Sequence, residues 1–241
     1  LHQLKPDRIT LIGGAWCGLV LGAADTLQQV GISMTTAGKA GFITALYIIL
    51  VPLLGRFMGR KVSRIIVICV ALAIAGFYLL CINGDFQVSF GDFLVLCCAV
   101  FFALHILVID HFLLKKANSI KLSWVQFATA FLFSGTLTVL FEQPDWSALW
   151  AAKWPLLYAG GLSSGVAYTL QIVGQKYTEP TTATLIMSLE SVFAALAGWL
   201  ILGEVMTTKE LTGCVLVFAA VILAQIPLPH ISFRQKNHNH Q

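Results

Sequence analysis

Eight continuous apolar stretches, each close to twenty residues long, constrain this chain more than any other feature. They run over residues 9–30, 40–58, 65–82, 91–114, 122–141, 154–176, 182–202 and 210–227 of 241. A helix rising about 1.5 Å per residue needs about 20 apolar residues to cross roughly 30 Å of hydrocarbon. Each stretch therefore has the length and polarity of a membrane span. A closed barrel is excluded, because the runs are continuous rather than alternating. The chain is only 11% charged and 58% hydrophobic, with a mean hydropathy of +0.83, against roughly 25% charge in soluble domains. Too few residues lie between the stretches to build a soluble domain. The expected fold is all-α, a polytopic transmembrane helix bundle with eight spans.

Charge sets the expected threading. Lys5, Arg8, Arg56, Arg60, Lys61, Arg64, Lys115, Lys116, Lys121, Lys176, Arg234 and Lys236 fall in alternate loops and tails, 12 of the 15 basic residues. Asp85, Asp92, Glu142, Asp145, Glu204 and Glu210 fall in the others. Basic loops stay cytoplasmic, so the first span runs outward and the C-terminal tail is cytoplasmic. Trp146, Trp150 and Trp154 suit an interfacial anchor. The net charge of +4 is spread over loops rather than gathered on a soluble face, so a nucleic-acid partner is not expected. A lipid bilayer and a small-molecule substrate are, and the oligomeric state stays open. The six cysteines lie in or beside apolar stretches without metal-ligand spacing. No metal and no cofactor is expected.

The chain also repeats itself. Gly14, Gly18 and Gly22 recur at four-residue spacing in the first stretch, which then turns polar at Asp25, Gln28 and Gln29. At an offset of 143 residues, Gly161, Gly165, Tyr168, Gln171 and Gly174 stand opposite Gly18, Gly22, Asp25, Gln28 and Gly31. Glycines on one helical face let another helix approach closely in lipid, and the polar groups beyond them need partners that lipid does not offer. Stretches one to three match six to eight. Equivalent helices are thus five apart, an odd number, which makes the repeats inverted. The expected division is residues 1–84 as the last three helices of a first repeat, 85–227 as a five-helix second repeat, and 228–241 as a tail.

The second half carries a recognisable pattern. Thr181-Thr182-Ala183-Thr184-Leu185, Leu189-Glu190-Ser191-Val192-Phe193-Ala194-Ala195-Leu196, Leu202-Gly203-Glu204 and Gly213 together resemble the EamA-type repeat of the drug/metabolite transporter superfamily. The resemblance covers nearly the whole chain. It implies ten helices in two inverted five-helix repeats, cytoplasmic termini, residence in the cell inner membrane, and transport of small metabolites such as amino acids, often outward. It further implies two helices before Leu1. Ser191 stands where the family often has proline, which implies a straighter seventh helix.

Seven residues are candidates for substrate binding. Glu190 falls near the middle of the seventh stretch, where an acid costs about 2.5 to 3.5 kcal/mol on insertion scales. It is either a protonatable or amine-binding carboxylate or a neutral acid tying two helices together. Asp25 and Gln28 share a face of the first stretch, as Tyr168, Gln171 and Gln175 do in the sixth. These faces are expected to line one cavity, the amides suiting a polar or zwitterionic solute or serving interhelical packing. Lys39 either snorkels at the outer interface or receives a substrate carboxylate. His105 is a proton relay or a buried histidine bonded to a backbone carbonyl. The first functional reading is a secondary transporter of a small polar metabolite, an exporter working by alternating access, and not an enzyme. The rivals are an intramembrane enzyme built on Asp25, Glu190 and His105, and a non-transporting membrane partner protein.

Overall fold

A computed structural model describes residues 6–35, 37–59, 63–81, 89–143, 145–189 and 207–225, with Phe193 and Leu200. Every element among them is helical. In chain order these are α1 (Arg8–Ile32), α2 (Ala37–Ala45), α3 (Tyr47–Phe57), α4 (Arg64–Cys81), α5 (Phe90–Leu114), α6 (Ser119–Phe141), α7 (Trp146–Ala151) and α8 (Lys153–Leu157). A π-helix (Tyr158–Tyr168), α9 (Thr169–Gln175), α10 (Pro180–Met187) and α11 (Thr208–Gln225) follow. Four helical runs, Arg8–Ile32, Phe90–Leu114, Ser119–Phe141 and Lys153–Gln175, are long and apolar enough to cross a membrane. Shorter apolar runs cover Ile43–Phe57, Arg64–Gly76 and Leu211–Leu223.

Local chemistry marks where these helices begin and turn. Ser89 and Asp92 form a reciprocal capping box at the start of α5, the Ser89 hydroxyl accepting from the Asp92 N–H at 3.2 Å and the Asp92 carboxylate from the Ser89 N–H at 2.7 Å. Two of the orphan donors of the first turn are satisfied in this way. At the far end Lys116 adopts left-handed backbone, φ +65°. The chain reverses there into α6, whose start Asn118 caps by accepting from the Lys121 N–H at 3.1 Å.

α1 packs between α5 and α6, and α4 pairs with α11. The first contact works because α1 presents small residues. Its buried positions include Gly13, Gly14, Cys17, Gly18 and Gly22, at helical spacing. A Cβ built on Gly18 would lie 2.4 Å from the Gln126 carbonyl oxygen, and one on Gly14 would lie 2.5 Å from Val125. The backbones of α1 and α6 therefore touch, as the glycine spacing predicts. The pairing of α4 with α11 uses the same device at Gly76, where a Cβ would sit 2.7 Å from the Gly213 carbonyl oxygen.

The second glycine run behaves differently, and the expected close approach is corrected there. Among the described residues, no atom outside the local helix lies within 4 Å of a Cβ on Gly160 or Gly161, and a Cβ on Gly165 meets the Gly160 carbonyl oxygen at 3.2 Å. Residues Tyr158–Tyr168 form a π-helix rather than the expected α-helix. Bonding from i to i+5 puts more residues in each turn, and no other helix among the described residues covers these glycines. That stretch is mostly exposed.

Two contacts order the ends of the bundle. At one end the Asn118 N–H donates to Thr10 Oγ1 at 3.1 Å, bringing the start of α1 beside the α5–α6 turn with Lys115, Lys116 and Lys121. At the other end Thr35 Oγ1 donates to the Asp92 carboxylate. Lys115, Lys116 and Lys121 thus lie at the end of α5 and α6 opposite to Asp92.

Candidate functional site

A cavity of about 220 Å³ lies where α1, α2, α3, α5, α9 and α10 converge. Its polar wall comes from Gln28, Thr44, His105, Tyr168, Gln171 and Ser188. Four of the seven sequence candidates, Gln28, His105, Tyr168 and Gln171, therefore meet around one space. The Gln28 amide is oriented across the α1–α2 contact, Nε2 donating to Thr44 Oγ1 at 3.3 Å.

Backbone irregularity gathers at the same place. The expected second span, 40–58, is broken at Leu46, whose N–H bonds back only three residues to the Ile43 carbonyl at 3.1 Å. Thr44, Ala45 and Tyr47 flank this break and line the cavity. α10 ends at Met187, and Ser188, its cap, bonds back four residues to the Thr184 carbonyl at 3.0 Å. In a membrane-spanning segment, irregular backbone is tolerated where it is buried in protein or faces a cavity.

His105 is fully buried, and its expected backbone partner is replaced by a side chain. Its Nε2 donates to Gln126 Oε1 of α6 at 2.9 Å. That bond places the proton of a singly protonated ring on Nε2 and leaves Nδ1 as an acceptor. Neither Nδ1 nor Gln126 Nε2 has a hydrogen-bond partner among the described residues. The Tyr168 ring stands edge-on to the imidazole, with ring centroids 6.1 Å apart.

The other candidates separate from the cavity. Asp25 is exposed and does not line it. Three residues before Gln28, it lies about 60° round α1 from it. Gln175, expected on the same face as Tyr168 and Gln171, lines a different space one turn further along. Glu190 and Ser191 lie outside the described residues, as do the side chain of Lys39, the loops 60–62 and 82–88, and the tail after Gln225.

Thr44, Ser188 and Gln126 were missed in the sequence. The first two carry a signal: at an offset of 144 residues Thr44 stands opposite Ser188, just as Gln28 stands opposite Gln171 at 143. Two matched pairs of hydrogen-bonding side chains thus share one wall. Gln126 sits with Leu122 and Ser123 on the single buried face of an otherwise exposed α6, and an amide inside an apolar run is its mark.

A family model described as the EamA-like transporter family matches residues 89–225, more than half of the chain. The chain belongs to the EamA-like transporter family. An uncharacterized transporter of Archaeoglobus fulgidus is 34% identical over 202 residues, covering 83% of this chain. This EamA-like chain spans 64% of that relative's length. A solved crystal structure superposes with a TM-score of 0.75 at 19% identity, covering 92% of this chain and 77% of its own, which shows a shared helical fold.

Proposed function

We propose that this chain is a secondary carrier that moves a small polar metabolite of amino-acid type across the cell inner membrane. It works by alternating access around the cavity between its two halves, and outward export is the favoured direction. The observation that carries the reading is the pairing of Gln28 with Gln171 and of Thr44 with Ser188 on one cavity wall. Carriers built from inverted repeats hold substrate at the repeat interface, beside broken helices. Matched polar residues beside the break at Leu46 and the end of α10 fit that plan. Membership of the EamA-like family favours a carrier over an intramembrane enzyme.

The chemistry of the wall supports the solute class. Each amide offers a donor and an acceptor, and each hydroxyl the same. Such a wall suits a solute carrying both an ammonium and a carboxylate better than an apolar or singly charged one. His105, held by Gln126 and faced by Tyr168, fixes the α5 side of the space. The Lys and Arg pattern supports a cytoplasmic basic end.

Proteoliposomes loaded with a labelled amino-acid mixture test the reading. Export above that of empty vesicles is expected, with Gln28→Leu and Gln171→Leu each lowering the rate about tenfold or more, the range for losing a hydrogen bond to a charged group. Export at equal rates from vesicles with and without protein would overturn the carrier reading. Unchanged rates in both variants would move the site elsewhere.

A further inference from the structure

A second, larger cavity of about 550 Å³ opens at the basic end of the bundle, between α3, α5, α9 and α10. Two buried polar residues form part of its lining. Asp110 lies in the last turns of α5 and Gln175 closes α9, the latter with only 4% of its surface exposed. Lys176 and Glu179, both exposed, stand at its rim. The Lys176 ammonium rests over the Tyr177 ring at 5.6 Å.

Gln175 is the unusual member. Neither its Oε1 nor its Nε2 has a hydrogen-bond partner among the described residues. Buried polar groups are nearly always bonded, because leaving them bare forfeits their hydration without replacement. Leucine or methionine would fill the same volume at no such cost. A bare acceptor and a bare donor on one side chain, in a cavity wall that also holds a buried carboxylate, match a ligand that brings a donor and an acceptor of its own.

This space is distinct from the central cavity but aligned with it. On α9 the central cavity takes Gln171 and the second takes Gln175, while on α5 the corresponding residues are Ile106 and Asp110. Each step is four residues, about 6 Å along a helix. α3 also passes both, with Tyr47 at the first and Val51 at the second.

We propose that the cavity at the basic end is a separate loading site for a zwitterionic solute, with Asp110 meeting the ammonium and the Gln175 amide bridging ammonium and carboxylate. Gln175 Oε1 accepts from the ammonium while its Nε2 donates to the carboxylate. Lys176 and Glu179 at the rim attract the two ends of the solute before it descends. The solute class rests on the carrier reading above; the existence of the site does not, since its residues are separate from Gln28 and Gln171.

The test is equilibrium binding to the purified full chain in lipid nanodiscs, with labelled L-serine and L-leucine as probes and ethanolamine and lactate as single-charge competitors. Saturable zwitterion binding is expected to persist in the double variant Gln28→Leu/Gln171→Leu. On that background Gln175→Leu should weaken it about tenfold or more, and neither competitor should displace it efficiently. Melting temperature separates binding from folding, because Gln175→Leu removes a bare buried amide and should melt no lower than its parent. Absence of saturable binding of both probes to the double variant overturns the proposal. So does unchanged affinity after Gln175→Leu. If binding follows the expected pattern while proteoliposomes show no export, the carrier reading fails and the site stands.

Discussion

Replacing Gly18 by alanine adds one methyl group where the backbones of α1 and α6 touch. The new Cβ would stand 2.4 Å from the Gln126 carbonyl oxygen, 2.6 Å from Thr129 Cβ and 3.1 Å from the Ala130 nitrogen. Two of these three atoms are backbone, so no side-chain rotation relieves the clash and α1 must move away from α6. Overpacking of this kind costs about 1–3 kcal/mol. The glycine-to-alanine gain in helix propensity returns about 0.8–1 kcal/mol. The net expectation is a loss of about 0–2 kcal/mol for alanine and more for leucine. Gly161 supplies the control, since among the described residues a Cβ there meets nothing within 4 Å and only the propensity gain remains. Thermal unfolding in detergent, followed by tryptophan fluorescence, should place Gly18→Ala below wild type and Gly161→Ala at or above it. Because the displaced carbonyl belongs to Gln126, whose side chain holds His105, export by Gly18→Ala should fall as well. Equal melting temperatures for Gly18→Ala and Gly161→Ala would refute the argument that backbone contact, rather than glycine content, matters here.

Three further outcomes are expected. Gln126→Leu leaves the buried His105 without its partner and should lower stability by about 1–3 kcal/mol, read as the shift in unfolding midpoint; an unshifted midpoint would mean the bond contributes nothing. Asp145 starts α7 by accepting from the Ser147 hydroxyl at 2.7 Å and the Ser147 N–H at 2.9 Å, and these bonds, the hydroxyl first, hold its carboxyl below the ordinary 3.8. A folded-state value below the unfolded one means the cap's contribution is present above the unfolded value and is lost as pH falls through the folded one. A carboxyl NMR titration should find a midpoint under 3.8 that rises in Ser147→Ala, and a midpoint indifferent to Ser147 would contradict this. For orientation, single cysteines at Arg56 and Lys116 should react with impermeant thiol reagents only from the cytoplasmic side and one at Trp146 only from outside, whereas labelling of all three from one side would break the threading.

Much of the fold was legible because lipid simplifies the problem. Runs of about twenty apolar residues can do little but span, and the helices Arg8–Ile32, Phe90–Leu114 and Ser119–Phe141 begin and end within a few residues of the stretches that announced them. Glycine spacing announced the α1–α6 contact. The same spacing at Gly161 and Gly165 misled, since whether a small-residue stripe is used depends on a neighbouring helix being there to meet it. There the backbone runs as a π-helix and the stripe meets no other helix among the described residues.

The site divides along the same line. Gln28, His105, Tyr168 and Gln171 stood out as polar residues in apolar stretches, and their cost in hydrocarbon is a property of the residue that needs no structure to evaluate. Which of them share a cavity is a matter of rotation about each helix axis and of which helices abut. Asp25 and Gln28 differ by about 60° on one helix, enough to leave one exposed and bring the other to the cavity. Membrane spans, their order and the separation of charge were written in hydropathy and in Lys and Arg placement, because those act one segment at a time. The break at Leu46, the Gln126 partner of His105 and the bare amide of Gln175 emerged only when the helices packed, because each depends on residues distant in the chain arriving at one place.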